Sequence, residues 1–237
     1  MSQNLLLLVV AGMLLKVSLL SETYVNYVKP GFRPMIIAAG VVMAALALAG
    51  LLGAWRNAPR ADNDQGDHGP DHGHDHGHGP RVAWLMAVPV FALTLVAPPA
   101  LGAFAVQREE RPPPPKVSDY RNLGGAGVTP LAVGEFIGRA YGRSLVGKRV
   151  KLTGFVVKSS RTGQWYVARM QMSCCAADAI ALKVAVRGAS APKEDTWVEV
   201  TGTWIPWKGG KVPNGFVAPG LTASDVKEID QPAEPYE

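Results

Sequence analysis

Met172-Ser173-Cys174-Cys175-Ala176-Ala177-Asp178 is the stretch whose reading decides the second half of this chain. It separates two strand-like runs, 164–171 and 179–187. The second run alternates, with Ile180, Leu182, Val184 and Val186 on one face and Lys183 and Arg187 on the other, the period of a half-buried strand. The unit is therefore strand, turn, strand, and its turn carries the only two cysteines of the 237 residues, side by side.

Outward from that unit the strand signals continue. Arg149–Lys158 reads as a strand with Gly154 as a bulge, and 196–205 as another, bearing Trp197, Val198, Val200 and Trp204. The runs 211–217 and 226–229 are short candidates for a fifth and a closing strand. Before them, Thr129 followed by Pro130 and Glu135, with Leu131, Phe136, Ile137 and Ala140 at helical spacing, predicts a short helix starting at Thr129. About five short strands, Gly-rich turns and one helix predict a small all-β domain over 117–230, an OB-like barrel, followed by a tail at 231–237.

The first half has a different solvent. Three long apolar runs, at about 5–21, 35–55 and 82–106, predict three transmembrane α-helices, since a span needs roughly 20 apolar residues. The first is short and Lys16 must snorkel to the interface. A cleaved signal peptide is disfavoured there, because no basic leader and no small-x-small site precede the next run. Pro98-Pro99 predict a kink or an early end in the third. A linker at 107–116, ending in four prolines, favours an extended spacer. Basic residues flanking the runs lean toward a multi-pass protein of the cell membrane with its C-terminal domain in the cytoplasm. The net charge of +5 arises wholly after residue 107, because the first 107 residues hold six basic and six acidic side chains. Such a mild excess beside a bilayer fits positive-inside bias better than a nucleic-acid footprint.

Between the second and third runs lies 62–80, rich in Asp and Gly, which holds every histidine of the chain: His68, His72, His74, His76 and His78. Gly and Pro keep such a segment from folding on itself. Neutral imidazole suits zinc, nickel and copper, so five of them within eleven residues predict weak, fast-exchanging capture of a d-block cation. An unspecialised solvating linker would not concentrate all the imidazoles in one place.

The thiols admit more than one reading. On a strand, adjacent side chains point to opposite faces and cannot meet one ion. On a helical turn, Cys174 and Cys175 stand four and three residues before Asp178 and share its face, which would suit zinc, or Cu(I) on the thiolates alone. Equally, one cysteine can be a small buried hydrophobe while Asp178 caps the turn. A redox thiol ranks lowest, because the domain has no C-x-x-C and no histidine. No catalytic constellation emerges, and an enzyme is not expected.

Several pieces together carry a resemblance: Gly147-Lys148-Arg149-Val150 to Gly154-Phe155-Val156, Ala168-Arg169, Ser173-Cys174-Cys175-Ala176-Ala177-Asp178-Ala179, and Trp197-Val198 to Gly202, behind three apolar runs and a His/Asp loop. In these the chain resembles the YcgQ-type bacterial membrane proteins, which are described as permease subunits. The resemblance implies a polytopic permease as partner and a link to zinc or other metal handling. The expectation is thus an accessory subunit in a divalent-metal permease system. Its candidate ligands are His68, His72, His74, His76, His78, Cys174, Cys175 and Asp178. The alternatives are an OB-like module for a protein or oligonucleotide, stacking bases on Trp165, Tyr166, Trp197, Trp204 and Trp207, and a thiol-redox protein.

Overall fold

The computed structural model describes residues 2–56, 88, 92, 95–96, 98–108, 120, 122–124, 127–159, 163–213 and 217–237. The described chain forms two compact units: Met1–Tyr24 with Pro30–Pro98, and Val25–Lys29 with Pro99–Glu237.

In the first unit two apolar helices pair, α1 (Ser2–Leu19) and α2 (Arg33–Arg56). They run antiparallel, because Gly40 lies against Leu15 and the Ala11 carbonyl while Gly50 lies against Asn4. Small residues let the backbones approach: Ala11 and Ala47 are fully buried, and a Cβ on Gly40 would stand 2.9 Å from Leu15 Cδ2. Ser18 turns its hydroxyl back to the Leu14 carbonyl at 2.7 Å, so it costs the apolar helix no unmatched donor. Arg33 Nε donates to the Ser18 carbonyl at 2.9 Å, covering an orphan acceptor at the end of α1. Among the described residues one helix, Pro30–Arg56, is long and apolar enough to cross a membrane; Gln3–Leu19 is apolar but shorter.

The third apolar run departs from its expectation where it is described. The chain is not helical from Pro98 to Gly102. A separate short helix follows, α3 (Ala103–Arg108), and its Ala103 and Val106 are buried in the second unit. Adjacent prolines remove two amide donors and disfavour helix in the residue before them, which ends any continuous span. The region beginning at Pro99 thus belongs with the sheet, and the expected linker starts inside α3; positions 109–116 lie outside the described residues.

The second unit is built on a mixed six-stranded sheet: β1 (Thr129–Leu131), β2 (Arg149–Lys158), β3 (Trp165–Gln171), β4 (Ile180–Arg187), β5 (Trp197–Ile205) and β6 (Gly220–Glu228). The order is β1-β2-β3-β4-β6-β5, and β2 also pairs with β5, so the pairing path leads from β2 around to β2 again. Neighbours are antiparallel except β1–β2 and β4–β6, which are parallel. Helix α4 (Val133–Tyr141) lies on the main core, with Phe136 and Ile137 among Val150, Leu152, Trp165, Val167, Val184, Val200 and Leu221.

Both faces of the β2–β3–β4 region are covered. Val156, Trp165 and Val167 enter the main core, while the intervening Phe155, Val157, Ala168 and Met170 form a second cluster with Ala103, Val106, Met172 and Tyr236. The period-two alternation that separates faces here separates two apolar clusters rather than core from water.

Four expectations shift. Thr129 and Pro130 do not start the helix; they form the edge strand β1, where a missing N–H costs no ladder bond. Gly154 is no bulge, since its register with Val198 is unbroken; it is a close crossing, where a Cβ would run into the Ala168 carbonyl. The register shift lies instead at Thr201/Gly202 in β5, and a Cβ on Gly202 would run into the Thr222 carbonyl. Finally, 211–213 and 217 are not strand; a 3-10 turn at Lys208–Gly210 precedes them, and the last strand begins earlier than expected, at Gly220.

Candidate metal centre at the vicinal thiols

β3 ends at Gln171 and β4 begins at Ile180, so the thiol stretch is the connection between two antiparallel neighbours. Met172 anchors its start by burial in the second cluster. The chain then bends at Ser173 and Cys174, passes Cys175 in extended conformation (φ −150°, ψ 167°), and closes with a 3-10 turn at Ala176–Asp178. The cysteines therefore approach the turn and do not lie in it. The bend supplies what helical spacing was expected to supply.

Asp178 folds back over this bend. Its Oδ1 accepts the Ser173 N–H at 2.9 Å and its Oδ2 accepts the Cys174 N–H at 2.8 Å. That is the capping role for Asp178, and it leaves each carboxylate oxygen a lone pair. The Cys174 and Cys175 sulfurs stand 3.7 Å apart as free thiols, Cys174 exposed and Cys175 half-buried. Both sulfurs and an Asp178 oxygen lie within 4.8 Å of one another.

Those distances fit a d-block cation. Two thiolates held about 2.3 Å from a tetrahedral zinc stand roughly 3.8 Å apart, against the 3.7 Å between these sulfurs. Three protein donors are one fewer than a closed structural zinc site, so one position would remain open to water or an incoming ligand. Without a cation, the Cys174 thiol is pushed up to about 11, chiefly by its hydrogen bond with the Asp178 carboxylate and then by the Cys175 thiol. Asp178 is held below the usual carboxylate range by the same bond with Cys174 and by the Ser173 N–H. A thiol so disposed is protonated at neutral pH, the opposite of the depressed thiolate that redox and nucleophilic cysteines need. A cation could take the Cys174 sulfur as thiolate only by displacing its proton.

A segment outside every element expected from the sequence meets this turn from the other side. Val28 and Cys175 form an antiparallel bridge. The Lys29 N–H donates to the Cys174 carbonyl at 3.1 Å, and the Ala176 N–H to the Tyr27 carbonyl at 2.8 Å. Lys29 Nζ adds a bond to the Met172 carbonyl at 3.3 Å. One residue earlier, the Asn26 carbonyl accepts the Tyr236 hydroxyl at 2.9 Å, and that hydroxyl also accepts the Leu101 N–H at 3.0 Å. The missed signal was the run Tyr24-Val25-Asn26-Tyr27-Val28, rich in aromatic and β-branched residues between two helices.

Of the eight candidate ligands, the structure brings Cys174, Cys175 and Asp178 together; His68, His72, His74, His76 and His78 lie outside the described residues. The aromatic residues proposed as a base-stacking platform are largely committed elsewhere. Trp165 and Trp204 are buried in the core, Trp197 packs edge-on to Phe155, and Trp207 packs edge-on to Tyr141 while its indole N–H donates to the Ala140 carbonyl.

Comparison with known families places both halves together. The family model for the DUF1980 N-terminal domain matches residues 3–107, and that for the DUF1980 C-terminal domain matches residues 137–237. No curated protein matches the chain.

Proposed function

Because the chain belongs to the DUF1980 family, carrying its N-terminal and C-terminal domains in order, we propose that it is a membrane-anchored accessory subunit of a permease system that handles zinc or a similar divalent cation. The observation that carries this reading is the convergence of two thiol sulfurs and a carboxylate oxygen within 4.8 Å on one short turn. The His/Asp loop at 62–80 supports it from the sequence, as a second, looser set of donors.

Three spanning segments belong to the same proposal: the short α1, α2, and the third apolar run from 82 as far as Pro98, before the chain joins the sheet-bearing unit. The apolar content of all three runs supports this. A chain whose second and third runs contain no charged residue lacks donors for a cation path of its own, which is the argument for a polytopic permease partner. For the soluble part we propose an OB-like barrel. The pairing path that returns to β2 and the parallel β4–β6 pair support it.

The test is cadmium titration of the purified full chain, read by the ultraviolet thiolate-to-metal absorption. The wild type should develop the band, and a Cys174→Ser/Cys175→Ser double variant should not. Deletion of 62–79 should lower zinc stoichiometry and leave the band in place. A wild type without the band would defeat the assignment of the thiols.

A further inference from the structure

We propose that cation occupancy of the thiol turn is coupled to pairing of Tyr27–Lys29 with that turn. This rests on the metal reading of Cys174, Cys175 and Asp178 and adds its regulation. The same three-residue stretch serves both events. Its side chains offer the two sulfurs, and its backbone offers the Cys174 carbonyl to Lys29 N–H and the Ala176 N–H to the Tyr27 carbonyl. Cys175, midway between, is at once a donor candidate and the bridge partner of Val28.

The stretch sits outside the sheet ladder, so its conformation depends on few bonds. On one side are the two N–H bonds to Asp178 and the turn's own bonds from the Asp178 and Ala179 N–H groups to the Cys175 and Ala176 carbonyls, and on the other the contacts with Tyr27, Val28 and Lys29. A cation shared by Cys174, Cys175 and Asp178 fixes those three residues relative to one another. It thereby favours the backbone arrangement in which Cys174 and Ala176 meet Tyr27–Lys29. Binding equilibria coupled in this way are reciprocal: whatever factor the cation adds to the pairing, the pairing adds to cation affinity. Val25–Lys29 lies within the connection between α1 and α2 in the sequence and belongs to the sheet-bearing unit. The ligand state of the turn would therefore be reported in whether this connection is paired or released.

Amide hydrogen exchange on the full-length protein in detergent tests the coupling, with zinc added and then removed by chelator. The amides of Lys29 and Ala176 should gain at least about fivefold protection on zinc loading, the low end of ordinary coupling factors. The Cys174→Ser/Cys175→Ser variant should show no zinc response there. Lys29→Pro, which removes the N–H donor to Cys174, should weaken zinc affinity by up to that factor, whereas Lys29→Ala, which keeps the N–H and loses only the Nζ bond to Met172, should weaken it less. If the thiolate band forms while protection at Lys29 and Ala176 stays unchanged, the coupling is wrong and the metal site stands. If no band forms, both fail.

Discussion

The Glu237 carboxylate caps the amino end of α4: Oε1 accepts the Val133 N–H at 2.6 Å and Oε2 accepts the Gly134 N–H at 2.9 Å. Ala132, the residue before the helix, makes no side-chain cap bond, so the cap comes from the far end of the sequence. Loss of a helix cap costs about 0.5–2 kcal/mol. Glu237→Ala should fall in that range by chemical denaturation, and Glu237→Gln, which keeps one acceptor, should cost less.

The same residue gives a pH dependence. Burial raises the Glu237 carboxyl above its ordinary value of 4.5, against the opposing pull of the two N–H bonds and of Arg169. A carboxyl raised on folding binds its proton more tightly in the native state. Its stabilising contribution is complete below pH 4.5 and is lost as pH climbs through the native value. Unfolding free energy of the wild type should therefore decline over that window relative to Glu237→Gln. Parallel curves for the two proteins would exclude the effect.

Glycine at the two strand crossings is a steric requirement. A methyl at position 154 meets the Ala168 carbonyl, and one at 202 meets the Thr222 carbonyl, both backbone atoms that cannot swing aside. Gly154→Ala and Gly202→Ala should each destabilise by about 3 kcal/mol, the upper end of overpacking costs. Gly124→Ala, where a Cβ meets nothing within 4 Å, is the matched control and should change stability little.

Lowered thiol acidity has a kinetic signature. With Cys174 pushed up to about 11, iodoacetamide should label it slowly at pH 7 and faster as pH rises toward that value. Asp178→Asn removes the leading cause. Each unit recovered multiplies thiolate by about ten and divides its nucleophilicity by about three. Two recovered units would therefore speed labelling roughly tenfold. Labelling that Asp178→Asn leaves unchanged would show that the carboxylate does not govern the thiol.

Tyr236 joins two segments through one oxygen, accepting from Leu101 and donating to Asn26. Tyr236→Phe keeps the ring in the second cluster and strips both bonds. It should cost about 1–3 kcal/mol, because two backbone groups lose their partner, and should speed proteolysis near residues 26 and 101.

How much of this was legible depended on the range of the determining contacts. Arg149–Lys158 was readable to the residue, since alternation is a local signal. The start of α4 was not: Thr129, Pro130 and Glu135 match an amino-terminal signature, yet the real cap stands 104 residues downstream of Val133. β6 was readable only at its end, because Thr222, Ser224 and Asp225 dilute its apolar pattern. At the thiol turn, proximity in sequence suggested that Cys174, Cys175 and Asp178 could meet, but a bend at Ser173 and Cys174, and not the expected helical turn, brings them together. Its flanking segment, Tyr27–Lys29, was only half readable: the aromatic and β-branched run at 24–28 signals extended chain, but nothing in it names position 175 as its partner.

The hydroxyl of Tyr236 reaches a carbonyl 210 residues earlier in the chain. Translation at about 5–20 residues per second takes roughly 10–40 s to cover that interval. During this time α1 and α2 have already left the ribosome, while the connection between them still lacks its clasp. The two helices are therefore made first, and Asn26 can meet its partner only after Tyr236 has been synthesised and has left the ribosome. Stalling translation shortly before position 236 should leave nascent chains in which this clasp is open.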